Sequence, residues 1–249
     1  MNNQKTNLMT TTLTTPYIYY TSAPDIKPES EKFLQAANAH FDKQEIEKAT
    51  EAYKDALEQS PNSPHLLSNL GGILAAQSLI NESVQVLKKA LELDPNNSGA
   101  NYNIGTLFLS HGIIDKAVEH LEKAHTLDPK SAPIINNLGI AYLHSGKFDK
   151  ALENFKQAIA IYPDFDYAYH NLGTLAYDQD KFTEAITWFN KALEINKQNF
   201  ATYNDLACAY YCNNQTAPAL EALRKSIELN ARYRMPYYNL GFITYNTSK

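Results

Sequence analysis

A short segment recurs along this chain at intervals of 34 residues. It reads Ala-Leu-Glu-Gln-Ser-Pro from residue 56 and Ala-Leu-Glu-Leu-Asp-Pro from residue 90, and it returns in altered form from residues 124 and 158. Glycine recurs in the same frame at positions 71, 105, 139, 173 and 241. A fixed period of this length is typical of architectures in which each repeat packs on its neighbours. The sequence therefore predicts a stack of similar units, not one globule or two.

Each repeat contains two stretches with helical spacing of apolar residues. In the repeat that spans 132–165, Ile135, Leu138 and Tyr142 form the first apolar stripe, and a second stripe runs from Phe148 to Ala158. A short breaker that contains glycine separates the stripes, and a proline near the end of the repeat stops the second stretch. Each repeat is therefore predicted to be two antiparallel helices joined by a tight turn.

These residues carry a family resemblance. Ile135, Leu138-Gly139, Tyr142, Ala151, Phe155, Ala158 and Pro163 match the pattern of the tetratricopeptide-repeat (TPR) family. The resemblance implies an all-α fold, a right-handed α-α superhelix of six helix-turn-helix repeats plus one extra C-terminal helix. The predicted repeats are 30–63, 64–97, 98–131, 132–165, 166–199 and 200–233, followed by a partial repeat at 234–249.

The first 29 residues are rich in threonine and asparagine and have no helical period. We expect residues 1–29 to be a disordered leader. The alternative is that the leader docks on the repeats through Tyr17, Ile18, Tyr19 and Tyr20, because a free tail would expose this run of large side chains to water.

Composition excludes several classes of partner. The chain has 22 basic and 27 acidic residues, and its net charge of −5 argues against nucleic-acid binding, which needs a basic face to neutralise phosphates. No apolar run approaches the roughly 20 residues of a membrane span, so we expect no membrane insertion. With no secretion signal and two cysteines, the chain is expected to be cytoplasmic.

No arrangement of reactive side chains predicts catalysis. The seven histidines are scattered and none has metal-ligand spacing. Cys208 and Cys212 lie four residues apart on one helix, where a disulfide is geometrically poor, so we expect two unbridged thiols. No glycine-rich phosphate loop is present. The sequence thus predicts that the protein is not an enzyme and uses no metal or cofactor.

The resemblance places the first helix of each repeat on a concave surface, where the sixth position of each repeat should be exposed. That position holds an amide or its acidic analogue in six successive repeats: Asn69, Asn103, Asn137, Asn171, Asp205 and Asn239. Asparagine both donates and accepts, so such a row can pair with the main chain of an extended peptide. The TPR region of the O-linked N-acetylglucosamine transferases, which this sequence resembles, has such a row. The alternative is that asparagine is simply the usual residue of the family at this position.

Aromatic side chains flank this row toward the C-terminus. Rigid aromatics provide contact area at little entropic cost, so they are candidate anchors for a peptide. The candidates are Tyr102, Tyr167, His170, Tyr177 and Tyr211. Packing between neighbouring helices is the alternative role for each tyrosine.

These features predict a scaffold that binds an extended peptide segment of a partner protein in an asparagine- and tyrosine-lined groove. One alternative is the substrate-recruiting arm of a larger enzyme such as a protein glycosyltransferase. Another is a scaffold that self-associates end to end through residues 234–249. That last segment could also cap the stack or mark the chain as a fragment.

Overall fold

The computed structural model describes residues 8–11 and 26–247, which contain thirteen helices and no strand. The predicted all-α fold is therefore confirmed for these residues. The helices are α1 Pro28–Asp42, α2 Ile46–Gln59, α3 Pro64–Ala76, α4 Ile80–Leu93, α5 Ser98–Ser110, α6 Ile114–Leu127, α7 Ala132–His144, α8 Phe148–Ile161, α9 Asp166–Asp178, α10 Phe182–Ile195, α11 Phe200–Cys212, α12 Thr216–Leu229 and α13 Met235–Thr247.

The described residues fall into two compact units. The N-terminal unit comprises residues 26–145 and holds α1 to α7. The C-terminal unit comprises residues 146–247, with α8 to α13, and also residues 8–11. Part of the segment predicted as a leader thus belongs to the C-terminal unit. The tyrosine-rich stretch from Tyr17 to Tyr20 lies outside the described residues.

Polar side chains start several of the first helices of the repeats. Ser63 precedes α3 and its hydroxyl accepts a hydrogen bond from the Leu66 amide at 3.2 Å. Asn97 caps α5 through the Ala100 amide at 2.8 Å, and Asn199 caps α11 through the Thr202 amide at 3.1 Å. Each cap satisfies a main-chain donor that the helix leaves unpaired, which stabilises the helix start by about 1 kcal/mol.

The turn inside each repeat has one backbone geometry. Residues with positive φ occur at Gln44, Ser78, Gly112, Gly146, Asp180 and Asn214, spaced by the repeat period. In each described case a left-handed residue closes the first helix, as when the Lys181 amide bonds back to the Ala176 carbonyl at 2.9 Å. Only two of these positions are glycine, so the period of the sequence identifies the turns more clearly than glycine does.

Within a repeat, the two helices touch at the recurring glycine. A β-carbon at Gly173 would lie 2.6 Å from Cδ1 and Cε1 of Phe189, and one at Gly71 would lie 2.4 Å from Cγ of Leu87. Both partner side chains are fully buried. The glycine is therefore required for the close approach of the first and second helices.

The glycine contact predicts a measurable difference between two alanine variants at the same repeat position. We expect Gly173→Ala to lower the free energy of unfolding by about 1–2 kcal/mol, because overpacking costs about 1–3 kcal/mol and exceeds the gain in helix propensity. Gly241→Ala is the matched control, since an added β-carbon there meets nothing within 4 Å. It should leave stability unchanged or raise it by up to about 1 kcal/mol in urea unfolding. Equal stability of the two variants would contradict this account of the helix contact.

Candidate functional site

The first helices of the last three repeats bring a set of polar side chains together in the C-terminal unit. We call these residues the polar row: His170 and Thr174 on α9, Asn204, Asp205 and Cys208 on α11, and Asn239 on α13. All six are buried. They occupy the fifth, sixth and ninth positions of their repeats, so the helical spacing places them on one face.

Residues 8–11 lie against the polar row. The Met9 amide donates to Oδ1 of Asn239 at 2.9 Å. The Met9 carbonyl accepts from Nδ2 of Asn204 at 2.8 Å and from Nδ2 of Asn239 at 2.9 Å. The Asn239 amide thus pairs with both main-chain groups of one residue, the use of asparagine predicted from its donor and acceptor.

Thr11 makes the second set of contacts. Its amide and its hydroxyl both donate to Oδ2 of Asp205, at 2.9 Å and 2.8 Å. Its carbonyl accepts from Nε2 of His170 at 3.2 Å and from the Thr174 hydroxyl at 3.1 Å. Because a carbonyl oxygen only accepts, Nε2 of His170 carries the proton in this arrangement.

Asp205 is the one acidic member of the row, and its side chain is fully buried. Its carboxylate accepts from Thr11 twice, from Nδ2 of Asn204 at 2.8 Å, and lies 3.3 Å from Nε2 of His170. A buried carboxylate is costly unless it is paired and hydrogen-bonded. The two hydrogen bonds from Thr11 therefore replace part of the hydrogen bonding to water that Asp205 loses on burial.

Hydrogen bonds within the row hold its members in place. Nδ2 of Asn239 donates to Oδ1 of Asn204 at 2.9 Å and lies 3.3 Å from Sγ of Cys208. Nδ1 of His170 lies 2.9 Å from the Thr202 hydroxyl, which fixes the ring. The donors and acceptors that meet residues 8–11 are thus preorganised by contacts between α11 and α13 and between α9 and α11.

Apolar side chains continue the surface beside the row. Leu8 packs against two clusters of buried residues, one that includes Tyr177 and one that includes Tyr211. Burial is the main cause that raises the pKa of the Tyr177 hydroxyl, which lies 3.5 Å from Sγ of Cys212. Tyr211 packs edge-on against Phe242 with ring centroids 6.1 Å apart. Both tyrosines therefore serve helix packing, within the two clusters against which Leu8 packs.

The predicted row in the N-terminal unit is bonded differently. Nδ2 of Asn103 donates to the Ser68 carbonyl at 3.0 Å, and Nδ2 of Asn137 lies 3.1 Å from both Tyr102 Oη and Thr106 Oγ1. These bonds join successive first helices. The Asn69 amide group and Oδ1 of Asn103 are buried without a hydrogen-bond partner in the described part of the chain.

The expectation of an exposed row is wrong for the intact chain, because every member is buried, with Asp205 and Asn239 in direct contact with residues 8–11. Neighbouring first helices approach closely enough for the amides to bond across them. Asn171 is also buried on α9, and Tyr167 is half-buried and stacks on Phe165 with centroids 5.6 Å apart. Thr174, Asn204 and Cys208 were not among the predicted site residues. Their shared signal is position: all three lie on the same face of the first helices as the predicted ones.

The described residues form no cluster of metal ligands, and the two cysteines are not bridged. Within residues 8–11 and 26–247, no group of three or more His, Cys, Asp or Glu side chains could hold a metal ion. Cys208 is buried and Cys212 half-buried, both as thiols, as predicted. Burial raises the pKa of the Cys208 thiol, which therefore stays protonated.

In the same described ranges, none of the helices has the length and apolar character needed to cross a membrane.

Solved structures share this fold at low sequence identity. The APC/C hetero-tetramer Cut9–Hcn1 matches with a TM-score of 0.78 and 15% identity, over 86% of this chain and 42% of the matched chain. Pseudomonas aeruginosa PilF matches with a TM-score of 0.69 and 17% identity, over 88% of this chain and 97% of the other. YrrB, described as a TPR protein with an unusual peptide-binding site, matches with a TM-score of 0.54 and 20% identity, over 76% and 97%. This chain thus spans less than half of the Cut9–Hcn1 chain that it matches.

Family models identify the repeat directly. A search of curated protein sequences found no match. Models of the tetratricopeptide repeat match residues 64–97, 100–164, 136–200 and 200–232, and a TPR repeat model matches residues 37–78. Together they cover residues 37–232 almost without interruption, and the chain belongs to the tetratricopeptide-repeat family.

Proposed function

We propose that this protein is an interaction module whose polar row binds the main chain of an extended segment of a partner protein. One observation carries the proposal: residues 8–11 of the chain itself lie on the row with their main chain hydrogen-bonded to Asn204, Asp205, Asn239, His170 and Thr174. TPR proteins as a family act as scaffolds for other proteins, which agrees with this role.

The chemistry of the row suits a main-chain ligand. An extended peptide presents alternating amide and carbonyl groups, and the row offers acceptors on Asn239 and Asp205 and donors on Asn204, Asn239 and His170. These bonds form in a buried site, where an unmade bond costs about 1–3 kcal/mol. A segment whose amide and carbonyl groups align with these acceptors and donors therefore binds more favourably than one that leaves them unpaired.

The N-terminal unit extends the proposal to the rest of the predicted row. The Asn69 amide group, Oδ1 of Asn103 and the Ser68 hydroxyl are buried polar atoms without a hydrogen-bond partner among the described residues. The main chain of a bound segment would satisfy them. We therefore include Asn69, Asn103 and Asn137 among the candidate peptide-binding residues, together with Asn171, Tyr102, Tyr167, Tyr177 and Tyr211.

Two narrower functions stay predictions. Service as the substrate-recruiting arm of a larger enzyme, such as a protein glycosyltransferase, would use the same row. Self-association through residues 234–249 would use α13, where Tyr237, Tyr238 and Tyr245 are exposed. YrrB, a TPR protein with a peptide-binding site, supports peptide binding as a use of this fold.

Peptide binding can be tested with a chain whose own segment is released. In the variant Met9→Pro with Thr11→Pro, proline removes both main-chain donors that reach Asn239 and Asp205. We expect a labelled peptide of residues 5–14 to bind this released variant, measured by fluorescence anisotropy. Adding Asn239→Ala should weaken binding about tenfold or more, because two hydrogen bonds to the peptide main chain are lost.

The control for that measurement is Asn246→Ala on the same helix. Asn246 is exposed and its amide bonds to the Phe242 carbonyl at 2.8 Å within α13. Peptide affinity should be unchanged in this variant, and circular dichroism should show equal helix content in all variants. No binding by the released variant, or equal binding after Asn239→Ala, would refute the proposed function.

A further inference from the structure

The C-terminal unit contacts the side chains of residues 8–11 to different extents. Leu8 packs on the apolar clusters, Thr11 bonds to Asp205, and Met9 remains 43% exposed. The main chain is held at Met9 and Thr11 whatever their side chains are. Selectivity for sequence therefore resides in the side chains of the first and fourth residues of the segment.

The fourth position demands a hydrogen-bond donor. Oδ2 of Asp205 lies 2.8 Å from the Thr11 hydroxyl, and an ionised carboxylate can only accept. A side chain of the same shape without the hydroxyl would remove one donor from a fully buried carboxylate. Sites built to bond a hydroxyl reject ligands that lack it far more strongly than apolar pockets reject a missing methyl group. A phosphate at this hydroxyl would bring negative charge against Asp205.

The first position demands an aliphatic side chain. Leu8 packs against both clusters of buried residues, one formed by α9, α10 and α11 and the other by α11, α12 and α13. Because the same leucine side chain packs against both clusters, it bridges them. A charged side chain placed there would lose its hydration without a partner.

We infer, building on the proposed function, that the partner segment is extended and carries an aliphatic residue followed three positions later by an unmodified serine or threonine. The position after the aliphatic residue is open to many side chains, as the exposure of Met9 indicates, whereas Thr10 at the next position is half-buried. The partner class is thus defined by two side chains. One is an apolar anchor that packs against the two clusters of buried residues, and the other is an unmodified hydroxyl that donates to Asp205.

A peptide series on the released variant tests this specificity. Relative to the peptide of residues 5–14, Thr11→Ser should bind within about threefold, and Thr11→Val at least about tenfold more weakly, since the hydrogen bond to a charged group is lost. A phosphothreonine at position 11 should abolish binding, and Leu8→Asp should weaken it about 100-fold by burying a charge without a partner. Met9→Gln is the matched control and should bind like the reference peptide.

A double-mutant cycle separates the hydroxyl contact from general packing. In the released variant with Asp205→Ala, the difference in affinity between the reference peptide and the Thr11→Val peptide should shrink to within about threefold, because the carboxylate acceptor is absent. Peptides that all bind alike to the unmodified row, including the phosphorylated one, would overturn the inference and leave the proposed function standing. Failure of the reference peptide itself would overturn the proposed function.

Discussion

Replacing Phe189 by alanine should lower the free energy of unfolding by about 3–5 kcal/mol, the range for large-to-small changes at fully buried aromatic positions. Phe189 is 0% exposed and belongs to the cluster that includes Ala176, Tyr177 and Leu206. Its ring lies against Gly173 and 5.3 Å from the ring of His170. The loss combines burial of the ring with the cavity left behind, because a close-packed repeat can collapse only in part.

Guanidinium unfolding followed by circular dichroism measures this loss. Phe148→Ala is the matched control in the same unit, because that ring is 41% exposed, and it should cost at most about 1 kcal/mol. A loss below about 1 kcal/mol for Phe189→Ala would contradict the packing described for α9 and α10. Since the Phe189 ring also supports His170, the variant should weaken peptide binding in the released background.

Releasing residues 8–11 should raise the affinity of the chain for a peptide of residues 5–14 about 100-fold. A segment that belongs to the same chain as its site competes at an effective concentration, taken here as on the order of 1 mM. A free peptide with a Kd of about 10 µM for the empty row would therefore bind the intact chain about 100-fold more weakly. The intact chain and the Met9→Pro, Thr11→Pro variant should show this difference in anisotropy titrations.

Thr10→Pro provides the control for the effect of proline itself. The hydrogen bonds of the Met9 and Thr11 amides and carbonyls do not involve the Thr10 amide. This variant should keep the lower affinity of the intact chain. Equal affinity of the intact chain and the released variant would show that residues 8–11 do not compete for the row.

The sequence predicted which repeat positions carry the amide side chains, but not which groups these side chains bond to. Asn239 pairs with both main-chain groups of Met9, the role expected for every sixth position. Asn239 also bonds to Asn204 on the preceding first helix, as Asn103 does to Ser68 and Asn137 to Tyr102 and Thr106. Asparagine at this position thus joins neighbouring helices in both units, and in Asn239 the same side chain also binds a main chain.

The sequence by itself determined the helix pairs, their turns and the face of the first helices that carries polar side chains. These follow from apolar spacing, from small residues and from a period of 34, which are local properties of the chain. Only the tertiary structure decided that residues 8–11 occupy the polar row. Met9 and Asn239 are separated by 230 residues, and no local pattern encodes a contact over that distance. The same holds for Asp205, whose role depends on Thr11 and on His170 one repeat away.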